Sequence, residues 1–333
     1  MVFPMAKRLV CFGPGEIGWQ EVPKRTPAAN EVRIQPTFGV EKHGTMAAFI
    51  AGYANERGRW DPEHRVHVPG GALWNYPVPL GNMQFGITAE DESVCWWGGF
   101  NDAPLVDRQA LRPLGNVAWQ DAAMQDPGEF AVGAIRDGNV RVGDDIAVFG
   151  LGAIGLATVQ VARAVGANRV FAIDPISARR AVAEIYGAIA IDPMAGDAGM
   201  MLREATDMRG VDVAIDFSGA WRALQAAFRG VGYGGTIAYG AFPAPFPAGL
   251  DFGGEAHMNR QKLVFTRACS DPNPDHPRWN ENRIKEVVWT LIERGQLRGE
   301  GIIDAPIPFA DLDEVYPEIA KHPEKHLKLS VKY

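Results

Sequence analysis

The sequence predicts an α/β protein in which a doubly wound, parallel six-stranded sheet is joined to a β-rich domain. Three observations predict it. The apolar run Ile146-Ala-Val-Phe149 leads into a glycine turn and then a helix-forming stretch. Beyond it, strand and helix patterns alternate to about residue 268, as crossover strand–helix–strand units require. Ahead of it, the chain up to about residue 126 is rich in Gly, Pro and aromatics, with short β-like runs such as Glu31-Val-Arg-Ile-Gln35 and little helical periodicity.

The strand candidates are Ile146–Phe149, Val170–Ile173, Ile189–Ile191, Val211–Ile215, Thr236–Tyr239 and Leu263–Thr266, each a short apolar run bounded by turn residues. Helical stretches fall between them near Ala153–Val165, Ala178–Tyr186, Gly199–Thr206 and Trp221–Arg229. A Pro-rich loop, Asp271-Pro-Asn-Pro-Asp-His-Pro277, and an amphipathic helix near Arg283–Glu293 follow. The ending Leu327-Lys-Leu-Ser-Val-Lys-Tyr333 alternates like an edge strand. The expected domains are therefore 1–126 (β-rich), 127–268 (nucleotide-binding) and 269–333, a segment that returns to the first.

The turn after Phe149 carries the chemistry. Gly150, Gly152 and Gly155 fit G-x-G-x-x-G: a tight turn, an approach for a pyrophosphate, and close packing of helix on sheet. The helix that starts at Ala153 and Ile154 would aim its free amides and positive dipole end at the phosphates. Asp174 stands nineteen residues beyond Gly155, at the tip of the second strand, where a carboxylate takes the adenosine ribose hydroxyls. A carboxylate there repels a 2′-phosphate, so NAD is expected rather than NADP, with Arg179 lining the ribose and adenine edge. The bland alternative is a Gly-rich turn, which leaves the acid at that distance unexplained.

Composition narrows the function. Hydrophobic residues at 47% and charged residues at 22% over 333 positions fit a folded, soluble chain of two ordinary domains. A net charge of −7 argues against non-specific nucleic-acid binding, which needs a basic surface. Cys11, Cys95 and Cys269 are far apart, with no C-x-x-C pair, which points to a reducing compartment and away from a cysteine-rich zinc site. Neither a signal peptide nor a membrane span is expected, and cytoplasm is the default location.

The order of domains, with Val142-Gly-Asp-Asp-Ile-Ala-Val-Phe-Gly-Leu-Gly-Ala-Ile-Gly155, resembles the medium-chain dehydrogenase/reductase superfamily, which includes the alcohol dehydrogenases. Gly39-Val-Glu-Lys-His-Gly-Thr45 sits where that family has its first catalytic segment, and Pro79-Leu-Gly-Asn-Met83 where it has Gly-His-Glu. Gly234-Gly-Thr-Ile-Ala-Tyr-Gly-Ala-Phe242 is similar to its fifth strand, whose end meets the nicotinamide carboxamide. Arg267-Ala-Cys-Ser, with His276-Pro-Arg-Trp279, is similar to a branch of bacteriochlorophyllide and polyol dehydrogenases. The resemblance implies a Rossmann domain, a GroES-like catalytic domain and oxidoreduction with a nicotinamide cofactor. It adds Ser218, Tyr239, Gly240 and Ala241 to the expected cofactor contacts, and a homodimer or homotetramer as the expected assembly.

The departures from the family are as informative. Where zinc-dependent members place a cysteine, a histidine and a third cysteine or acid, this chain has Glu41, Asn82 and Gln125 or Asp126. Asn82 is a poor neutral ligand, and no imidazole or thiolate remains in the set. The four-cysteine structural lobe is reduced to Cys95-Trp-Trp-Gly-Gly-Phe-Asn. No metal is expected.

Without a Lewis acid, side chains must take the hydroxyl proton. The candidates are Glu41, Lys42 and His43, with Asn82 as a hydrogen-bond donor to the substrate oxygen. His43 suits proton transfer near neutrality, Lys42 would hold an oxyanion or a cofactor phosphate, and Glu41 would orient either or act as base. Each has a plainer reading: a polar loop for His43, a surface lysine for Lys42, a turn stabiliser for Asn82. His64 and His67, in the insert Trp60-Asp-Pro-Glu-His-Arg-Val-His-Val-Pro-Gly, have the spacing of one strand face and read as surface or pocket groups rather than as a metal pair. Trp60, Trp74, Trp96 and Trp97 read mainly as core, with one or two free to line an apolar or sugar-stacking pocket.

The leading expectation is a zinc-independent, NAD-linked oxidoreductase that interconverts a small-molecule secondary alcohol (polyol, sugar derivative or cyclic alcohol) and its ketone. Three alternatives stay open at this level: a reductase of an activated carbon–carbon double bond, an epimerase or lyase with retained NAD, and a non-catalytic dinucleotide sensor.

Overall fold

The computed structural model describes residues 5–267, 275–322 and 325–333, without the side chains of His43, Ile319 and Ala320. Cys269 and most of the Pro-rich loop lie outside the described residues. The chain divides into two compact units, one holding the residues up to Trp119 with Ile303–Tyr333, the other Gln120–Ile302. The sequence pattern placed these divisions at 126/127 and 268/269.

In the second unit, six strands form one parallel sheet in the order Ile189–Ile191, Arg169–Ile173, Asp145–Phe149, Val211–Asp216, Val231–Tyr239, Lys262–Phe265. In chain order this is 3-2-1-4-5-6, a doubly wound sheet whose order reverses beside the first strand, where a nucleotide crevice forms. Ile146, Ala147, Val148 and Phe149 are all buried because helices cover both faces of a parallel sheet. Phe149, Phe171, Ile173, Leu224, Phe228 and Tyr239 share one core cluster on one face.

The amphipathic helix Glu281–Glu293 belongs to this unit and packs on the helix Gln125–Asp137. A Cβ at Gly128 would lie 2.5 Å from Val288 and 2.6 Å from Leu297, so glycine sets how closely the packing can come. The return to the first unit therefore begins at residue 303 rather than 269.

The first unit is built on a mostly antiparallel sheet in the order Arg112–Pro113, Ser93–Trp97, Met83–Ile87, Gln35–Val40, Ser330–Lys332, Ile307–Pro308. The expected C-terminal edge strand is thus an inner strand, hydrogen-bonded to Gln35–Val40 on one side and Ile307–Pro308 on the other. Alternation marked Leu329 and Val331 as core. It gave no sign that the neighbours on the other face, Lys328 and Ser330, would be buried too. Leu312, Tyr316, Leu329 and Val331 join Leu9, Phe49, Leu80 and Phe100 in one core, so the last thirty residues complete this unit.

The insert after the first catalytic segment forms a hairpin, Arg59–Asp61 with Val66–Val68. His64 lies in its turn, bonded to Asp61, and only His67 is on a strand, its ring against Trp60. The expected shared strand face for the two histidines is corrected accordingly. Among the described residues no helix is long and apolar enough to cross a membrane.

Candidate functional site

The nucleotide unit builds its crevice from the glycine turn outward. Gly150 adopts φ +84°, and a Cβ there would come within 2.6 Å of the Ser218 backbone, so the first glycine serves both turn and packing. A Cβ at Gly155 would sit 1.9 Å from the Gly150 carbonyl oxygen, which fixes the third glycine sterically. Gly152 differs: a Cβ there meets nothing within 4 Å. The space it would enter lies at the head of the helix Ala153–Ala164, whose first amides have no intrahelical acceptor. That is the environment a pyrophosphate needs, and Gly152, Ala153 and Ile154 are the residues that would hold it.

Asp174 is 4% exposed. Its Oδ2 accepts the Leu151 amide at 2.8 Å and its Oδ1 accepts the Ile176 amide at 2.8 Å. A carboxylate offers about four acceptor positions, so the two amides leave acceptor capacity free for other donors. Arg179, expected along the adenine edge, has Nη1 3.8 Å from Asp174 Oδ2. Arg180 donates to the Asp174 carbonyl at 2.6 Å and pairs with Asp192 at 2.7 Å, further bracing the strand tip.

At the ends of the fourth and fifth strands, Ser218 donates its amide (2.8 Å) and hydroxyl (2.7 Å) to Asp216 Oδ1. The Gly240 amide donates to the Asp216 carbonyl, and a Cβ at Gly240 would strike the Phe217 ring. Tyr239 turns its ring into the core against Phe246 and Phe265, so it can offer the crevice only its main chain. Ala241 is half-buried against the same cluster. Burial pushes the Asp216 carboxyl up to about 6. Its Oδ2 and the Tyr239 hydroxyl are both buried without a hydrogen-bond partner among the described residues, on strand positions that pair directly.

In the first unit, three chain segments bring their ends together. Val40 pairs with Met83 on one side and with Ser330 on the other. Glu41, Asn82 and Lys328 flank those rungs at the same end of the sheet. Glu41 is 2% exposed, and its amide donates to the Leu329 carbonyl at 3.2 Å. Lys42 caps the helix His43–Ala51, its carbonyl accepting the Met46 amide at 3.0 Å. His43 is the first residue of that helix; its side chain lies outside the described atoms.

Asn82 is 9% exposed, and its Nδ2 is buried with no hydrogen-bond partner among the described residues. Gly81, at φ +120°, lets the chain turn into it past Gly99 and Phe100. The structure therefore brings Glu41 and Asn82 together, with Lys42 and His43 following on the helix head.

These residues do not fit a catalytic zinc. Glu41 supplies oxygen and Asn82 an amide, while Lys328 Nζ lies 2.6 Å from the Glu41 carbonyl oxygen, where its positive charge opposes a divalent ion. In the other unit, Gln125 spends its Nε2 on Glu129 (2.8 Å) and the Lys285 carbonyl (3.0 Å). Asp126 is buried at the head of the same helix. Burial pushes Glu129 up to about 7, against the pull of the Gln125 hydrogen bond.

Sequence reasoning missed Lys328, Tyr316, Asp216 and Glu129. For Asp216 a signal existed, a lone acid closing an apolar strand. For Lys328 the alternating pattern pointed toward solvent.

Comparisons with known proteins agree with this architecture. A family model for zinc-binding dehydrogenases matches residues 153–274, which include none of Glu41, Asn82, Gln125 or Asp126. The D-guloside 3-dehydrogenase of Escherichia coli (strain K12) is 38% identical over 351 residues, covering 98% of this chain and 100% of the relative. Among solved structures, 2R,3R-butanediol dehydrogenase from Bacillus subtilis has a TM-score of 0.78 at 19% identity, with 98% of this chain and 99% of that chain covered. Galactitol-1-phosphate dehydrogenase from Escherichia coli has a TM-score of 0.76 at 18% identity, with 98% and 100% covered. At such identities the two structures speak for the fold alone. Glycine turn, strand order and full-length relative converge: this chain belongs to the medium-chain dehydrogenase/reductase superfamily, and is an alcohol dehydrogenase-like oxidoreductase that works on small molecules with a nicotinamide cofactor.

Proposed function

We propose that this enzyme is an NAD(H)-linked, zinc-independent dehydrogenase that oxidises a secondary hydroxyl of a sugar derivative, a glycoside foremost, to the ketone and reverses the reaction. The observation that carries the reading is the Asp174 carboxylate, locked to the glycine turn through Leu151 and presenting spare acceptors where a ribose, not a 2′-phosphate, is tolerated. The D-guloside 3-dehydrogenase relative supports the substrate class.

Bound nicotinamide would supply the hydride acceptor. The chain's own residues do the rest. Ala153 and Ile154 amides hold the pyrophosphate; Asp174 orients the ribose; Ser218, Gly240 and Ala241 border the nicotinamide end. In the catalytic unit, Glu41, Lys42 and His43 handle the hydroxyl proton, and Asn82 Nδ2 donates to the substrate oxygen. A buried donor without a partner is a costly feature unless a ligand satisfies it.

A homodimer or homotetramer fits the edge strand Lys262–Phe265, which has a neighbour on one side only among the described residues and leaves Phe265 well exposed.

One sample tests the proposal. Elemental analysis and titration with NADH and NADPH should give well under one zinc per chain, chelator-resistant turnover and at least tenfold tighter NADH binding. Turnover is then screened on glycosides and polyols with free secondary hydroxyls. One zinc per chain that supports activity, or a preference for NADPH, would overturn the corresponding part.

A further inference from the structure

The buried charged groups that the proposed reaction leaves unused gather around Glu41. Lys328 is 2% exposed, as is Glu41, and its Nζ donates to the Glu41 carbonyl oxygen at 2.6 Å. From the helix Leu312–Lys321, the fully buried Tyr316 faces Glu41, with Cys11 behind it. Burial first, and then the charge of Glu41, push the Tyr316 phenol well above its usual value. From the loop before Ile307–Pro308, Asp304 also feels the Glu41 charge and stands 3.4 Å from His326.

An ammonium leaves water only at a large cost unless negative groups surround it. Here the Lys328 Nζ donates to the main-chain carbonyl of Glu41, itself a buried acid, so the two buried residues are tied together at that carbonyl. Its location matters as much. Lys328 clamps the end of the strand Gln35–Val40, which hands the chain on to Lys42 and His43.

We propose that Lys328 is a positioning residue for the reaction: its ammonium fixes the Glu41 turn through the main-chain carbonyl and so sets where the buried Glu41 side chain stands. The inference rests on the reading of Glu41 as part of the proton-handling set, and the two are separable by experiment.

The test is steady-state kinetics over pH, with thermal unfolding, on Lys328→Gln, Lys328→Arg, Glu41→Gln and the Glu41→Gln/Lys328→Gln double variant. Loss of the ammonium raises the affinity of a neighbouring carboxylate for protons. Lys328→Gln is therefore expected to move the acidic limb of kcat/KM upward by about one pH unit and to lower kcat roughly a hundredfold. Lys328→Arg should keep the limb in place and kcat within about tenfold.

Because Lys328 acts through Glu41, the double variant should be no slower than Glu41→Gln alone. It also carries the test if Lys328→Gln fails to fold, since no unpaired buried charge remains in it. A Lys328→Gln enzyme that loses thermal stability but keeps the wild-type kcat and pH limb would overturn the inference, as would additive losses in the double variant. Wild-type activity and pH profile in Glu41→Gln would instead sink the reading of Glu41 itself.

Discussion

The Leu151 amide donates to the Asp174 carboxylate at 2.8 Å, so the glycine turn and the tip of the second strand are tied into one element, which we propose reads the cofactor. Changing Asp174 should therefore act twice. Asp174→Gly removes the acceptor for the ribose hydroxyls, the charge that repels a 2′-phosphate, and the brace for the turn. NADH affinity is expected to fall by about tenfold or more, the worth of one charge-assisted hydrogen bond. NADPH affinity should hold or rise, and the melting temperature should drop. Titration of both cofactors checks this; an unchanged preference would remove Asp174 from cofactor choice.

The second and third glycines of the turn should separate stability from binding. Gly155→Ala drives a Cβ to within 1.9 Å of the Gly150 carbonyl, which only backbone movement can relieve. Overpacking of that kind costs on the order of 1–3 kcal/mol or more, so the variant should unfold earlier and bind little cofactor. Gly152→Ala adds its methyl to open space at an extended backbone position, so folding is expected to be unaffected. The same methyl occupies the approach to the helix amides and should weaken cofactor binding by at least about tenfold. Melting curves beside NADH titrations decide it: equal melting losses in both variants would contradict the open space at Gly152.

Much of the nucleotide unit was legible because its signals are local. A glycine turn, an apolar run and an acid at fixed distance are read within thirty residues. The strand ending at Tyr239 starts at Val231 rather than Thr236, because Gly232-Tyr-Gly-Gly235 hides it and its pairing shifts register between Val211 and Val213. In the other unit, motif position pointed to Glu41, Lys42, His43 and Asn82, and the sheet register sets Glu41 and Asn82 at one end of neighbouring strands. Lys328 lies 287 residues from Glu41, and only the sheet order brings the two together. Tyr316 gave no sign either, since a tyrosine followed by Pro317 inside an amphipathic helix reads as ordinary packing.

Buried acids should leave a mark on stability against pH. Asp216 titrates at about 6 in the folded chain, raised by burial, and near 3.9 when unfolded. Between those values the folded chain holds a proton that the unfolded chain has lost, so stability declines as pH rises from about 4 to about 6 and then levels off. Two units correspond to roughly 3 kcal/mol. Glu129, raised to about 7, extends the decline toward neutrality. Asp216→Asn keeps an acceptor for Ser218 and cannot ionise. It should match wild type near pH 4 and exceed it in urea denaturation at pH 8; no gain at pH 8 would show that Asp216 is stabilised by contacts other than those around Ser218.

Asn82 offers the sharpest trade of stability against function. Its Nδ2 is buried and has no partner among the described residues, and an unsatisfied buried donor costs about 1–3 kcal/mol. The backbone around it is held independently, by the Gly98 amide on the Asn82 carbonyl at 2.8 Å and by Gly81 at φ +120°. Asn82→Leu, of similar volume, should therefore fold as before and melt higher by several degrees. If Nδ2 is the donor that meets the substrate oxygen, the same variant loses roughly 10–1000-fold in kcat/KM, because the hydrogen bond that strengthens as charge develops on that oxygen is gone. NADH affinity should stay near the wild-type value, since on this reading Asn82 Nδ2 meets the substrate oxygen and not the cofactor. A more stable variant with full activity would make Asn82 a turn residue and nothing more; a less stable one would mean that the amide has a structural partner in the folded protein.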